Sequence, residues 1–285
     1  PPYTAASFRS AASALNDLLI ALLLGVIEGL TEFLPISSTG HLLIAQHWLG
    51  RQSDLFNIVI QSGAILALVL VFRARLRALA NAWRQPEQFD YLIKLGVAFA
   101  VTAAVGIPVR KLGWELPETV TPVAIALIVG GIAMLAIERI VEVRRATFDA
   151  ARAASQSIGW NVAVWVGLAQ VIAGVFPGTS RSAAAIFAAM LAGALSRPAA
   201  AEFAFLLGIP TMFAASAFAL MEYATTPAAP REDWTALGVA FVAAALTGFV
   251  VVRWLMAWIK QHSFAPFAWY RIALGAGLLL FLPGQ

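Results

Sequence analysis

Residues 25–41 have the sequence GVIEGLTEFLPISSTGH, which sets two carboxylates, two adjacent serines and a histidine inside an otherwise apolar chain. Glu28 and Glu32 are four residues apart, so on a helix both carboxylates lie on one face, where like charges repel. An interfacial helix end is the simpler explanation for such a pair. The apolar residues on both sides and the nearby Pro35 favour a functional pair instead, because ionisable groups at membrane depth usually mark a site.

Pro35 is expected to interrupt this helix. Its ring removes an amide donor and pushes the preceding residue out of the α region, so a new helix should begin after it. Ser37 or Ser38 is a natural N-cap, and a helix start there places Ser38 and His41 three residues apart on one side. The free amides of such a helix start suit an anion. A lone histidine is more often a core residue than a catalyst, but the spacing from Ser38 favours proton transfer by His41.

The composition indicates a polytopic membrane protein. Of the 285 residues, 61% are hydrophobic and 12% are charged, with a mean hydropathy of +0.82, whereas a soluble domain carries about 25% charged residues. The chain has no cysteine, which excludes disulfides and thiolate metal sites. The formal charge of +4 does not point to nucleic acid, because the arginines lie in short loops between apolar spans.

Apolar spans separated by basic loops predict an all-α fold made of two similar halves. We expect residues 1–14 to be an N-terminal tail, residues 15–152 a first half and residues 153–285 a second half. Each half begins with a helix pair that is too interrupted to cross roughly 30 Å of hydrocarbon, at residues 15–49 and 160–195, and we interpret each pair as re-entrant. Full spans are expected at residues 55–72, 91–109 and 122–137, and again at residues 198–223, 234–259 and 266–281.

An internal repeat supports this division. Shifting the sequence by 142 positions lays Gly25 on Gly167, Glu28 on Gln170, Pro35 on Pro177 and Ser38 on Ser180. Three full spans per half is an odd number, so the second half must enter the membrane upside down, which predicts inverted-topology repeats whose breaks meet near the midplane. The positive-inside rule places the basic loops around Arg75 and Arg145 in the cytoplasm, so the first break opens outward.

The second break, FPGTSRSA at residues 176–183, supplies a cation. Arg181 could simply snorkel to the membrane surface, but a planar guanidinium beside hydroxyls and helix amides suits bidentate phosphate binding. We therefore expect a pocket for the anionic headgroup of a membrane-embedded substrate. Further candidates for contacts with that headgroup are Ser37, Thr39, Gly178, Thr179 and Ser182. A second layer around the pocket is the hypothesis for Gln61, Gln170 and Glu202, which are equally well explained as contacts between helices.

Longer motifs add a resemblance to a known family. GVIEGLTEFLPISSTGHL and FPGTSRSAAA, with EFAFLLGIP and FAPFAWYR further along, resemble the undecaprenyl pyrophosphate phosphatase family, also called the bacitracin resistance family. The resemblance covers nearly the whole chain beyond the first dozen residues. One departure is visible, since the family usually has a glycine where this chain has Ala183. The resemblance implies that catalysis is carried by Glu28, Glu32, Ser38, His41, Ser180 and Arg181.

The activity that the resemblance implies is hydrolysis of a polyprenyl diphosphate to the monophosphate, which regenerates the lipid carrier for cell-wall polymers. It also implies a divalent cation, Mg2+ or Ca2+, with Glu28 and Glu32 as its expected ligands. The site is expected on the periplasmic or outer face of the bacterial inner membrane. The expected partners are the polyprenyl diphosphate and membrane lipids, with no nucleic acid. Assembly as a homodimer stays open.

Two alternatives stay open at the level of sequence. The attacking group is Ser38 or Ser180 activated by His41, His41 itself, or a water deprotonated by His41 or a glutamate. The alternative function is a polyprenyl-phosphate transporter or flippase, because inverted repeats with broken helices are typical of transporters. A transporter needs the arginine but has no need of a nucleophile or base.

Overall fold

The computed structural model describes residues 5–113, 119–147, 157–194, 196–226 and 232–282, and every regular element in those ranges is helical. This confirms the all-α prediction for the described part of the chain. The first half contains α1 (Ala5–Thr31), α2 (Ser38–Leu49), α3 (Asp54–Val71), the short α4 (Arg73–Ala80), α5 (Pro86–Lys111) and α6 (Val120–Thr147). The second half contains α7 (Trp160–Val175), α8 (Arg181–Leu191), α9 (Arg197–Thr225), α10 (Trp234–Trp258) and α11 (Ala265–Phe281).

Five of these helices are long and apolar enough to cross a membrane, namely α3, α5, α6, α9 and α10. They cover five of the predicted full spans. The remaining one, α11, is apolar but has only 17 residues. Helix α1 begins at Ala5, so residues 5–14, which were predicted to be a tail, belong to a helix. Several predicted features lie outside the described ranges: residues 1–4, Arg152, Leu195, the loop at 227–231 and residues 283–285.

Two breaks interrupt the helices at the predicted prolines. Helix α1 ends at Thr31, and α2 begins at Ser38 with Ser37 as its N-cap. The break between α7 and α8 ends in the same way, with Ser180 as the N-cap. Ser37 and Ser180 have φ angles of 73° and 68°, and no other non-glycine residue in the described ranges has a positive φ. Such backbone angles cost energy and are found mostly at functional sites.

The two N-caps correct the alignment of the repeat. A uniform shift of 142 positions pairs Ser38 with Ser180, but the capping geometry and the backbone angles pair Ser37 with Ser180. The stretch between the proline and the N-cap is therefore one residue longer in the second break, and it contains Gly178 with a φ angle of 88°. A side chain on Gly178 would come within 2.7 Å of the carbonyl oxygen of Val123, so this loop requires glycine both for its backbone angle and for its close packing.

Glycines let helices of the two halves pack closely on one another. A side chain on Gly25 of α1 would overlap the carbonyl oxygen of Ala240 in α10, and one on Gly167 of α7 would overlap that of Ala98 in α5. Gly25 and Gly167 are 142 positions apart, as are Ala98 and Ala240. The contact between α1 and α10 therefore has a counterpart between α7 and α5, with the two halves exchanged.

The core surrounds the breaks and joins the halves. Phe33 of the first break packs edge-on against Phe205 of α9, with ring centroids 5.7 Å apart. Helices α3 and α9 pack together, as do α6 and α11. Ser182 of α8 donates a hydrogen bond to the carbonyl oxygen of Leu34 at 3.2 Å. The two breaks thus touch each other inside the helix bundle.

Candidate active site

The start of helix α2 brings a hydroxyl and a carboxylate into direct contact. Ser38 donates a hydrogen bond from Oγ to Glu32 Oε2 at 2.5 Å. The hydroxyl of Ser37 caps the helix by accepting a hydrogen bond from the amide of Gly40 at 3.3 Å. Glu32 directly follows α1 and Ser38 opens α2, so the break turns the chain back until these two side chains meet. A serine held against a carboxylate is an arrangement that can activate an oxygen nucleophile.

Glu28 lies one helical turn before Glu32 and is completely buried. Among the described residues, neither of its carboxylate oxygens has a hydrogen-bond partner of ordinary geometry. The charged groups that act on this carboxyl group electrostatically are Glu32 and Arg181. A buried carboxylate without donors is costly, which makes Glu28 a candidate for binding a ligand.

The second break turns its hydroxyls and its arginine toward the first. The hydroxyls of Ser180 and Ser182 are 3.0 Å apart, and Ser180 accepts a hydrogen bond from the amide of Ala183 at 3.3 Å. Ala183 lies within helix α8, so the residue that departs from the family pattern needs no glycine geometry. Arg181 is half-buried, and no hydrogen bond or ion pair with a described residue engages its guanidinium.

His41 has partners other than Ser38. Its Nδ1 lies 2.7 Å from the carbonyl oxygen of Ser37, and its Nε2 lies 2.7 Å from the hydroxyl of Tyr270, whose ring stacks on the imidazole. The spacing along α2 predicted a pair between Ser38 and His41, but the hydrogen bonds pair Ser38 with Glu32 instead. Tyr270 was missed, because its long-range contact with α2 leaves no trace in local sequence, although it lies in the FAPFAWYR motif.

Arg271 is the second residue that sequence reasoning missed. It is completely buried in α11, and its guanidinium donates to carbonyl oxygens of both breaks: Pro35 at 3.4 Å, Thr179 at 2.9 Å and Gly178 at 3.0 Å. It also donates to two carbonyl oxygens of α6. The rule that ionisable residues at membrane depth are functional could have found it, since it stands inside a predicted span.

A cleft with about 300 Å³ of empty space opens beside the two breaks. Its polar end is lined by Glu32, Gln170, Arg181 and Ser182, and its apolar wall comes mainly from α3 and α9. The other candidate residues do not line this cleft, namely Glu28, Ser37, Ser38, Thr39, His41, Gln61, Gly178, Thr179 and Ser180. Glu202 does not line it either, because its carboxylate accepts a hydrogen bond from Arg75 at 2.9 Å. Gly178 and Thr179 contribute carbonyl oxygens that Arg271 already engages.

Glu28 and Glu32 offer the oxygen ligands that Mg2+ and Ca2+ prefer. Within the described residues, no three or more His, Asp or Glu side chains gather into a group that could hold an ion. The pair therefore fits a divalent cation that also takes oxygen ligands from a bound phosphate group, which is the usual arrangement for Mg2+. The unpartnered oxygens of Glu28 support this fit.

Comparisons with known proteins all indicate the same family. The family model described as bacitracin resistance protein BacA matches residues 21–277. A protein of Xanthomonas campestris pv. campestris (strain 8004), named undecaprenyl-diphosphatase, is 59% identical over 269 residues, which cover 94% of this chain and 99% of that protein. A protein of Xylella fastidiosa (strain 9a5c) with the same name is 56% identical over 266 residues, covering 93% of this chain and 99% of that protein.

Proposed function

The chain belongs to the family of the bacitracin resistance protein BacA, and we propose that it is a membrane phosphatase that hydrolyses undecaprenyl diphosphate to the monophosphate and inorganic phosphate. The relatives named undecaprenyl-diphosphatase support this function because they match nearly the whole chain. The monophosphate is the lipid carrier on which cell-wall polymers are built, so the reaction recycles that carrier. The bacterial relatives and the five apolar helices make this a multi-pass membrane protein of bacteria.

The proposed mechanism rests on one observation, the hydrogen bond from Ser38 Oγ to Glu32 at the amino terminus of α2. In the proposed reaction Ser38 Oγ attacks the terminal phosphorus, Glu32 accepts the hydroxyl proton, and the bond between that phosphorus and the bridging oxygen breaks. The polyprenyl monophosphate leaves. Water then attacks the phosphoserine, Glu32 returns its proton to Oγ, and inorganic phosphate departs with one hydrogen of the water while the other goes to solvent.

The negative charge of the diphosphate is balanced by groups on both breaks. No hydrogen bond or ion pair with a described residue engages Arg181, which begins α8 and lines the polar end of the cleft, so it can hold two phosphate oxygens through its planar fork. The unpaired amides at the starts of α2 and α8 add partial positive charge. Arg271 acts on the loops, because it holds their carbonyl oxygens away from the anion.

Protons are handled by the carboxylates and by the histidine. The hydrogen-bonded pair of His41 and Tyr270 stands beside Ser37 and is suited to pass a proton between the site and water. Glu28 and Glu32 would hold a divalent cation together with oxygens of the diphosphate. Such a cation would neutralise charge on the diphosphate.

We further propose that the two halves are inverted-topology repeats, each opening with a re-entrant helix pair, and that the site faces the periplasm. The exchanged contacts of Gly25 and Gly167 support this arrangement. A second pair of contacts follows the same rule, since Gly29 of α1 approaches Gly248 of α10 while Gly106 of α5 approaches Val171 of α7. The basic loops around Arg75 and Arg145 support the orientation.

Trapping of a phosphoenzyme tests the proposed reaction. Purified protein is mixed with undecaprenyl diphosphate labelled in its terminal phosphate and quenched in acid within the first turnover. We expect label on the wild-type chain and on Ser180→Ala, and none on Ser38→Ala. Label that stays on the Ser38→Ala chain would assign the attack to another residue, and rapid hydrolysis without labelled protein in the wild type would assign it to water.

A further inference from the structure

Helices α3 and α9 pack together and are joined by side-chain hydrogen bonds at two levels. At one level the buried hydroxyls of Ser62 and Ser216 are 2.6 Å apart. At the other level Arg75, which follows α3, donates to Glu202 of α9 at 2.9 Å. The cleft lies between these two levels and extends from the polar end at Arg181 along the two helices.

Gly208 of α9 creates part of this space. It is buried, yet a side chain built on it would meet no atom within 4 Å. A buried glycine in a helix normally allows another backbone or side chain to approach, as Gly25 and Gly167 do here. At Gly208 nothing occupies the space, and the walls around it are apolar, formed by Ile65, Leu68 and Met212.

We propose that the first isoprene units of the substrate lie in this space, between α3 and α9 and against Gly208. This inference rests on the proposed function, because it assumes that the diphosphate occupies the polar end at Arg181. A cleft that is polar at one end and apolar along its walls matches a ligand with an anionic head and an apolar chain attached to it. Gly208 is then a residue that determines specificity for the prenyl group rather than a catalytic residue.

The size of the cleft limits how much of the chain it takes. The cleft is partly open to its surroundings, and its empty space of about 300 Å³ includes that open part. The enclosed part has room for only the start of a prenyl chain, so the rest of the chain must run out into lipid. Leu70 and Phe213 are 47% and 38% exposed, so lipid reaches both helices near this level. A short prenyl diphosphate should therefore respond to changes at Gly208 as a long one does.

The absence of native cysteine allows the space to be filled after folding. Gly208→Cys is purified, and its phosphate release from farnesyl diphosphate is measured before and after reaction with benzyl methanethiosulfonate. We expect modification to lower kcat/KM by about tenfold or more, as an occluded apolar pocket should, and dithiothreitol to restore it. The inhibition constant of methylenediphosphonate, which has a head and no chain, should stay within about twofold.

Gly238→Cys is the matched control, because Gly238 also has open space around it but lies on the exposed surface of α10. Its modification should change neither quantity. Gly208→Leu and Gly238→Leu repeat the comparison without a reagent. Unchanged kcat/KM in modified Gly208→Cys and in Gly208→Leu, or a parallel change in methylenediphosphonate binding, would overturn the placement of the chain while the phosphatase stands. Absence of phosphate release from any prenyl diphosphate by the wild type would instead overturn the proposed function itself.

Discussion

Arg181 is the cation that we propose binds the diphosphate, since no hydrogen bond or ion pair with a described residue engages its guanidinium. Arg181→Lys keeps the charge but loses the fork that binds two phosphate oxygens. We expect kcat/KM for phosphate release to fall roughly 10–100-fold, which corresponds to about 1.4–2.7 kcal/mol, with an unchanged melting temperature. Arg253→Lys, at an exposed position of α10, is the control. Near-normal turnover by Arg181→Lys would reduce Arg181 to a residue that snorkels to the surface.

Substitution of Glu28 tests whether the site binds a divalent cation. If its unpartnered carboxylate binds a divalent cation, Glu28→Gln should raise the metal concentration needed for half-maximal activity by about tenfold or more, because a neutral amide is a weaker ligand for a hard cation. His41→Ala should leave that concentration little changed and remove one limb of the pH–rate profile, because His41 is the group proposed to transfer protons. A metal titration that is identical in Glu28→Gln and the wild type would assign the glutamates to general acid and base work instead.

Individual residues were predictable where polarity alone marks a site. Glu28, Glu32 and Arg181 stand out as charges within apolar sequence, and the structure brings them into one place. The pairing of Ser38 with Glu32 rather than His41 was not predictable, because the path of the break determines it and helical spacing does not describe a break. Tyr270 reaches His41 from the other end of the chain, so no local pattern reveals it.

At the scale of elements, the two helix starts depend on Arg271 of α11. Arg271→Lys keeps a cation but offers at most three donors for the five carbonyl oxygens that Arg271 contacts. Each buried carbonyl left without a donor costs about 1–3 kcal/mol, so we expect a lower melting temperature together with reduced phosphate release. Arg253→Lys again serves as the control. A variant at Arg271 with wild-type stability and activity would show that the breaks hold their shape without it.

The elements themselves were largely predictable, and their junctions were not. Proline and serine correctly indicated where α1 gives way to α2 and α7 to α8. The alignment of the two breaks was wrong by one residue, because a repeat found by a uniform shift cannot register the extra residue beside Gly178. The start of α1 was also missed, because residues 5–14 were judged by their small size and polarity, although five of the ten are alanine, the strongest helix former.

For the molecule as a whole, the inverted arrangement predicts which side of the membrane each loop occupies. Single cysteines introduced at Arg75 and Arg145 should react with impermeant maleimide only after the cells are opened. Cysteines at Arg231 and at the C-terminus, both outside the described residues, should react in intact cells. The cysteine-free native chain gives no background. Reaction at Arg75 and Arg231 from the same side would exclude inverted repeats.

The internal repeat was visible in sequence, but the contacts that its matching positions make were not. A shift of 142 positions aligns Gly25 with Gly167 without saying what either residue contacts. The structure shows that each glycine admits a carbonyl of the other half, from Ala240 or Ala98. The halves therefore interlock, and neither break is complete without the other, as the contact between Ser182 and Leu34 illustrates.

We propose that the two breaks together form one phosphatase site. The most direct test is phosphate release from undecaprenyl diphosphate by the purified protein in detergent, where no transbilayer gradient can drive transport. We predict release by the wild type in the presence of divalent cation, and loss of release both in Ser38→Ala of the first break and in Arg181→Lys of the second. Absence of release by the wild type, together with movement of the lipid across vesicle membranes, would show that the two breaks do not form a phosphatase site and would identify a transporter.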